Sequence, residues 1–160
     1  MKLFKNIKKW LENQAHLFYL FLLILIVPNI ILCFTEPMPV VAKVCNVLLP
    51  FAFYYLLMTL SRNCGKMFWI LFLFIFFGAF QIVLLYLFGQ SIIAVDMFLN
   101  LVTTNSSEAM ELLDNLVPAL VSVIILYIPA LILAAISIIK KRKLSPEFIR
   151  RERKKAWIAL

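Results

Sequence analysis

The chain has 160 residues, 64% hydrophobic and 15% charged, with three glycines and a formal net charge of +8. A soluble core of this length does not need so much apolar surface, so the composition excludes an ordinary water-soluble domain and points to a membrane protein. Nucleic-acid binding is a poor reading of the positive charge, because the cations cluster at the two ends beside apolar runs, where topology-setting charges sit.

Residues 1–15 carry Lys2, Lys5, Lys8 and Lys9 against a single acid, Glu12. Leu3, Phe4, Ile7, Trp10 and Leu11 recur at helical spacing, which predicts a short cytoplasmic interfacial segment. The apolar run 17–34 follows with no small-residue cleavage site after it. It therefore reads as a first transmembrane helix rather than a signal peptide, with Pro28-Asn29 as a candidate kink. Residues 35–43 form a short loop containing Pro37 and Pro39, and 44–60 is the second span, with Pro50 inside it. A tight positive turn, 61–66, leads into a Phe-rich third span over 67–88. A polar segment occupies 89–115, and the fourth span, 116–139, contains Pro118 and Pro129. Residues 16–139 thus read as one four-helix transmembrane domain. Residues 140–160 read as a basic cytoplasmic loop, and Trp157-Ile158-Ala159-Leu160 turns apolar again like the start of a truncated fifth span.

All but one of the 16 Lys and Arg residues fall before the first span, in the turn 61–66, or after the fourth span; the exception is Lys43. The positive-inside rule then puts both ends in the cytoplasm and 89–115 outside. The expected fold class is an all-α membrane protein: four transmembrane helices, with a periplasmic amphipathic helical segment between the third and the fourth. A sheet is disfavoured because unpaired strand edges are not tolerated in lipid.

The three cysteines, Cys33, Cys45 and Cys64, show neither metal-ligand spacing nor a CxxC pair. They read as small apolar fillers, with a Cys33–Cys45 disulfide across the short loop left open. His16 is the only histidine, which excludes a histidine metal cluster in this chain and argues against a Ser/His/Asp triad.

The polar segment is the most distinctive stretch. Asp96, Asn100, Thr104 and Glu108 recur every four residues, and no Lys or Arg lies between Gly89 and Ile139. On a helix these four would form one polar stripe. Helix capping accounts for part of it: Asn105 followed by Glu108 resembles a capping box, and Glu108 and Glu111 suit the positive end of a helix entering Leu112-Leu113. The alternative, compatible with capping, is a binding role. A carboxylate pairs with an ammonium, and Asn and Thr bond phosphate or glycerol oxygens. A phosphatidylethanolamine headgroup carries all of these groups, and one Glu can serve both roles.

In this segment Met97, Asn100, Thr104, Glu108 and Ala109 follow a recognisable spacing. The stretch 93–109 resembles the periplasmic segment of bacterial phosphoethanolamine transferases, which modify lipid A and related surface glycans. The likeness extends to the architecture: a Phe-rich third span before the segment and another span after it. The resemblance implies inner-membrane localisation, five spans, and a soluble periplasmic domain of the sulfatase and alkaline-phosphatase type that carries a Thr nucleophile and zinc. None of that catalytic machinery is in this chain, so zinc is expected only in the missing domain, and the chain alone should catalyse nothing. What carries over is donor-lipid binding, with Glu108 holding the ethanolamine ammonium and Asn100 and Thr104 bonding the headgroup or the phosphoryl group. Asp96 lies on the same stripe but reads better as a solvated interfacial acid.

The competing expectation is a non-enzymatic small membrane protein, such as a transporter subunit or an assembly partner. Against a transport pathway, no acidic or basic residue lies within the four spans except at their ends. Asn46, Gln81 and Ser122 are poor substitutes.

Overall fold

The computed structural model describes the backbone of residues 12–88 and 106–160, and side chains over 12–84 and 117–160. All the regular structure among the described residues is helical. The elements are α1 (Gln14–Thr35), α2 (Val40–Met58), α3 (Cys64–Ile70), α4 (Phe72–Phe88), α5 (Ser106–Ile139) and α6 (Pro146–Ala159). Three stretches are long and apolar enough to cross a membrane: α1, α2 and Val117–Ile139 of α5. A fourth is present if the bent pair α3–α4 counts as one span.

Helix α1 is the centre of the bundle and packs against α2, α3, α4 and α5. Its Leu17, Phe18, Phe21, Leu22 and Leu25 are buried, and Phe21 stacks on Phe68 of α3 at 4.5 Å between ring centroids. The outward faces carry the opposite pattern. Leu48 and Leu49 of α2, Phe76 and Phe77 of α4, and Ile125 and Ile132 of α5 are all exposed. So large an apolar belt is compatible with a surrounding of hydrocarbon.

The structure revises two sequence expectations. The third span is not one helix over 67–88. It begins earlier, at Cys64, where the Asn63 side chain caps it by accepting from the Lys66 amide at 2.8 Å. It then breaks at Leu71, and the two parts meet at 62°. Neither Pro nor Gly marks the break. Instead, each part is held by its own close approach to a neighbour. A Cβ on Gly65 would overlap the Ala134 carbonyl oxygen and stand 2.9 Å from Ser137 Cβ, so α3 lies backbone-to-backbone on α5. A Cβ on Gly78 would meet Pro28 Cγ and the Tyr127 hydroxyl, each at 2.9 Å, so α4 nests between α1 and α5. On α5 the receiving residues are small: Ala130, Ala134 and Ser137 share a face at helical spacing, as close helix pairs in lipid require.

The second revision concerns 140–160, expected as a basic loop leading to a fifth span: within it Pro146–Ala159 is a helix. Helix α5 ends in a Schellman turn: the Arg142 amide donates to the Ser137 carbonyl at 3.1 Å and the Lys141 amide to the Ile138 carbonyl at 2.9 Å. The turn needs a left-handed residue, and Lys141 supplies it at φ 48°. A side chain there costs about 1–2 kcal/mol that glycine avoids. The chain then enters α6. Ser145 caps it by accepting from the Phe148 amide at 3.2 Å, and Pro146 takes the first turn, where its missing N–H costs nothing. The three cysteines are free thiols.

Candidate functional site

The sequence-predicted binding residues Asn100 and Thr104, with Asp96, lie outside the described residues. Glu108 falls in the early turns of α5, ahead of the apolar stretch Val117–Ile139, and its side chain is likewise outside the described residues. The polar groups that the described residues bring together lie elsewhere, at the basic end of the bundle. There the start of α1, the α2–α3 loop, the end of α5 and helix α6 meet.

Helix α6 has two faces. Ile149, Glu152 and Ala156 fall on one face and are buried against the bundle, while Arg150, Arg151, Arg153, Lys154 and Lys155 are exposed. Glu152 therefore occupies a position where the pattern calls for an apolar residue, and it is completely buried. Its carboxylate is surrounded by donors. The Tyr19 hydroxyl donates from α1 at 2.8 Å, the Tyr55 hydroxyl donates from α2, Arg151 Nε lies at 2.9 Å and Lys155 Nζ at 3.2 Å. Burial alone would raise the Glu152 pKa. The hydrogen bonds from Tyr55, Tyr19, Arg151 and Lys155 outweigh it and lower the value to about 2. The carboxylate is thus ionised and its lone pairs are engaged, so it is a docking post and not a general base.

Neighbouring contacts fix the same helix. Arg153 donates to the Thr59 carbonyl at 2.7 Å, satisfying the end of α2. Phe148 lies edge-on to Phe18 at 5.6 Å, and the Arg151 guanidinium sits over the Phe148 ring at 5.4 Å.

A second polar cluster joins α1, α3 and α5. Ser137 donates to Gln14 Oε1 at 2.8 Å, and the Cys64 thiol faces the same oxygen at 3.5 Å. Gln14 Nε2 is buried without a partner among the described residues, a cost of about 1–3 kcal/mol. Asn63 completes the join by donating to the carbonyls of Ser137 and Arg142 at 3.3 and 3.0 Å. At the far end of the spans, α1 and α2 are bonded through Asn29 and Asn46. Asn46 Nδ2 donates to the Asn29 carbonyl at 2.8 Å, and Asn29 Nδ2 to Asn46 Oδ1 at 3.2 Å.

Sequence reasoning missed Glu152, which it counted only as part of a basic cluster. The available signal was the spacing from Ile149 through Glu152 to Ala156, which puts a carboxylate on the apolar face of a capped helix. Among the described residues no group of three or more His, Cys, Asp and Glu could hold a metal ion. In comparison with known proteins, no family model, no curated protein and no solved structure matches the chain.

Proposed function

We propose that the chain is the membrane domain of a phosphoethanolamine transferase and presents the phosphatidylethanolamine headgroup to a catalytic domain on the outer side. The observation that carries this reading is the spacing Met97, Asn100, Thr104, Glu108-Ala109 in the sequence that follows α4 and runs into the first turns of α5. The chemistry fits the donor lipid: Glu108 offers a carboxylate to the ammonium, and Asn100 and Thr104 offer hydrogen bonds to phosphate oxygens. The four spans lie in the bacterial inner membrane with α6 and residues 1–11 in the cytoplasm, a topology supported by the distribution of Lys and Arg.

The test is lipid retention by the purified chain. It should keep phosphatidylethanolamine in preference to phosphatidylcholine through delipidation, since the methylated ammonium of choline cannot donate hydrogen bonds to Glu108. Glu108→Gln should weaken that preference, and Asn100→Ala should weaken retention of both lipids alike, each by roughly 5- to 150-fold, the worth of about 1–3 kcal/mol for a charged hydrogen-bond partner. Equal retention of the two lipids by the unaltered chain would overturn the proposal.

A further inference from the structure

We propose a second lipid site, for the phosphate of an anionic phospholipid, at the opposite end of the bundle from the start of α5. Between the α2–α3 loop and the α5–α6 turn lies a cavity of about 480 Å³. Four of its lining residues are cations, Arg62, Lys66, Lys141 and Lys143, and no carboxylate lines it. Of the nearby acids, Glu12 pairs with Arg142 at 3.8 Å, Glu152 is held by Arg151, Lys155 and the two tyrosines, and Glu147, in the first turn of α6, does not line the cavity. Among the described residues no carboxylate forms an ion pair with any of the four cations. Four like charges around one cavity repel unless an anion sits among them.

The walls are fixed before any ligand arrives. The Leu144 amide donates to the Arg62 carbonyl at 2.7 Å, and Arg62 Nε donates back to the Leu144 carbonyl at 3.1 Å. This reciprocal pair clamps the two cation-bearing loops together. The Ser61 hydroxyl oxygen accepts from the Asn63 amide at 3.2 Å, which leaves its own proton for an acceptor in the cavity. Lys141 adds an independent signal. It holds a left-handed conformation, where glycine would be free of strain, and it is one of the residues that line the cavity. Strain kept at a lysine is accounted for if the charge is used there.

A lipid fits better than a soluble anion. Leu60 and Ile138 line the same cavity and are exposed, at the ends of two apolar helices. They offer an acyl chain a surface directly beside the phosphate, and basic pockets between helix ends bind anionic headgroups in this way. The site is independent of the proposed ethanolamine site, which uses other residues and a headgroup of no net charge.

The test uses the full chain in detergent, titrated separately with short-chain phosphatidylglycerol, short-chain phosphatidylcholine and inorganic phosphate, and read by native mass spectrometry. Phosphatidylglycerol should bind at least tenfold more tightly than phosphatidylcholine, and inorganic phosphate should not displace it. Replacing three cations together, as K66Q, K141G and K143Q, should lower the phosphatidylglycerol affinity roughly 100-fold, at about fivefold per cation. Removing three cations outside the cavity, as K140Q, R150Q and K154Q, should change it less than threefold. K141G alone should weaken lipid binding about fivefold while raising the thermal midpoint, because it relieves the backbone, and it does not risk the fold. Equal binding of the two lipids, equal losses in the two triple variants, or displacement by inorganic phosphate would each overturn the proposal, the last by making the site one for soluble anions.

Discussion

Gly65 lies so close to Ala134 that a Cβ on it would overlap the Ala134 carbonyl oxygen. That approach lets the short helix α3 rest on α5, and it shows where the bundle has no slack. Gly65→Ala should destabilise the protein despite alanine's better helix propensity. Overpacking against backbone costs about 1–3 kcal/mol, while the propensity gain returns about 1 kcal/mol. Gly78→Ala meets the Pro28 ring and the buried Tyr127 hydroxyl, each at 2.9 Å, instead of backbone, so it should also destabilise, but by less than Gly65→Ala. Thermal unfolding in a mild detergent checks the pair. The close approach is refuted if the Gly65 variant unfolds at or above the unaltered protein's temperature.

Glu152 gives a pH dependence with a definite sign. Its pKa falls from 4.5 to about 2 in the folded chain. A depressed carboxyl stabilises above its unfolded pKa and loses that contribution as pH drops through the folded one. Docking of α6 should therefore be constant above about pH 4.5 and weaken progressively towards pH 2, with about 3 kcal/mol at stake. A distance between spin labels on α6 and α2 should be fixed at neutral pH and broaden in that window. Glu152→Ala strands the Tyr19 and Tyr55 hydroxyls, at about 1–3 kcal/mol each, and should release α6 at every pH. A label distance that ignores both the acid and the substitution would exclude this docking role.

The contrast between these two sites explains what the sequence makes legible. The apolar runs 17–34, 44–60 and 116–139 lie largely within α1, α2 and α5, because a span must bury its whole backbone and so leaves a long unbroken signal. The break at Leu71 leaves none. The run is uniformly apolar there, and the bend follows from the separate seats of Gly65 and Gly78 on other helices. Glu152 was hidden for a different reason. Amid five cations a carboxylate looks solvated, the spacing from Ile149 to Ala156 is a faint signal against that, and the partners Tyr19 and Tyr55 that hold it are remote in sequence. The expected ligand residues Asn100, Thr104 and Glu108 rest on motif spacing alone.

Asn46 and Asn29 should contribute unequally. Asn46 donates to the Asn29 backbone carbonyl at 2.8 Å, a bond that survives when the Asn29 side chain is removed. Asn46→Leu forfeits that bond and the 3.2 Å side-chain bond together. It should cost about 1 kcal/mol, and Asn29→Leu clearly less, within the range for polar pairs between helices in lipid. Reversible unfolding in mixed micelles measures both, and equal costs would mean that the backbone bond carries nothing.

Orientation can be read directly, because Glu36 and Lys143 lie in turns at opposite ends of the bundle. The excess of Lys and Arg at the α6 end predicts that this end stays in the cytoplasm. In a background with the native cysteines replaced, a membrane-impermeant maleimide should label Glu36→Cys in intact cells whose outer barrier has been opened. Lys143→Cys should be labelled only after the inner membrane is lysed. The reversed pattern would place Glu108 on the cytoplasmic side, away from any outer-face acceptor, and the transferase proposal would fall with it. The basic cavity would survive that outcome, since its phosphate chemistry depends on Arg62, Lys66, Lys141 and Lys143 and not on which leaflet they meet.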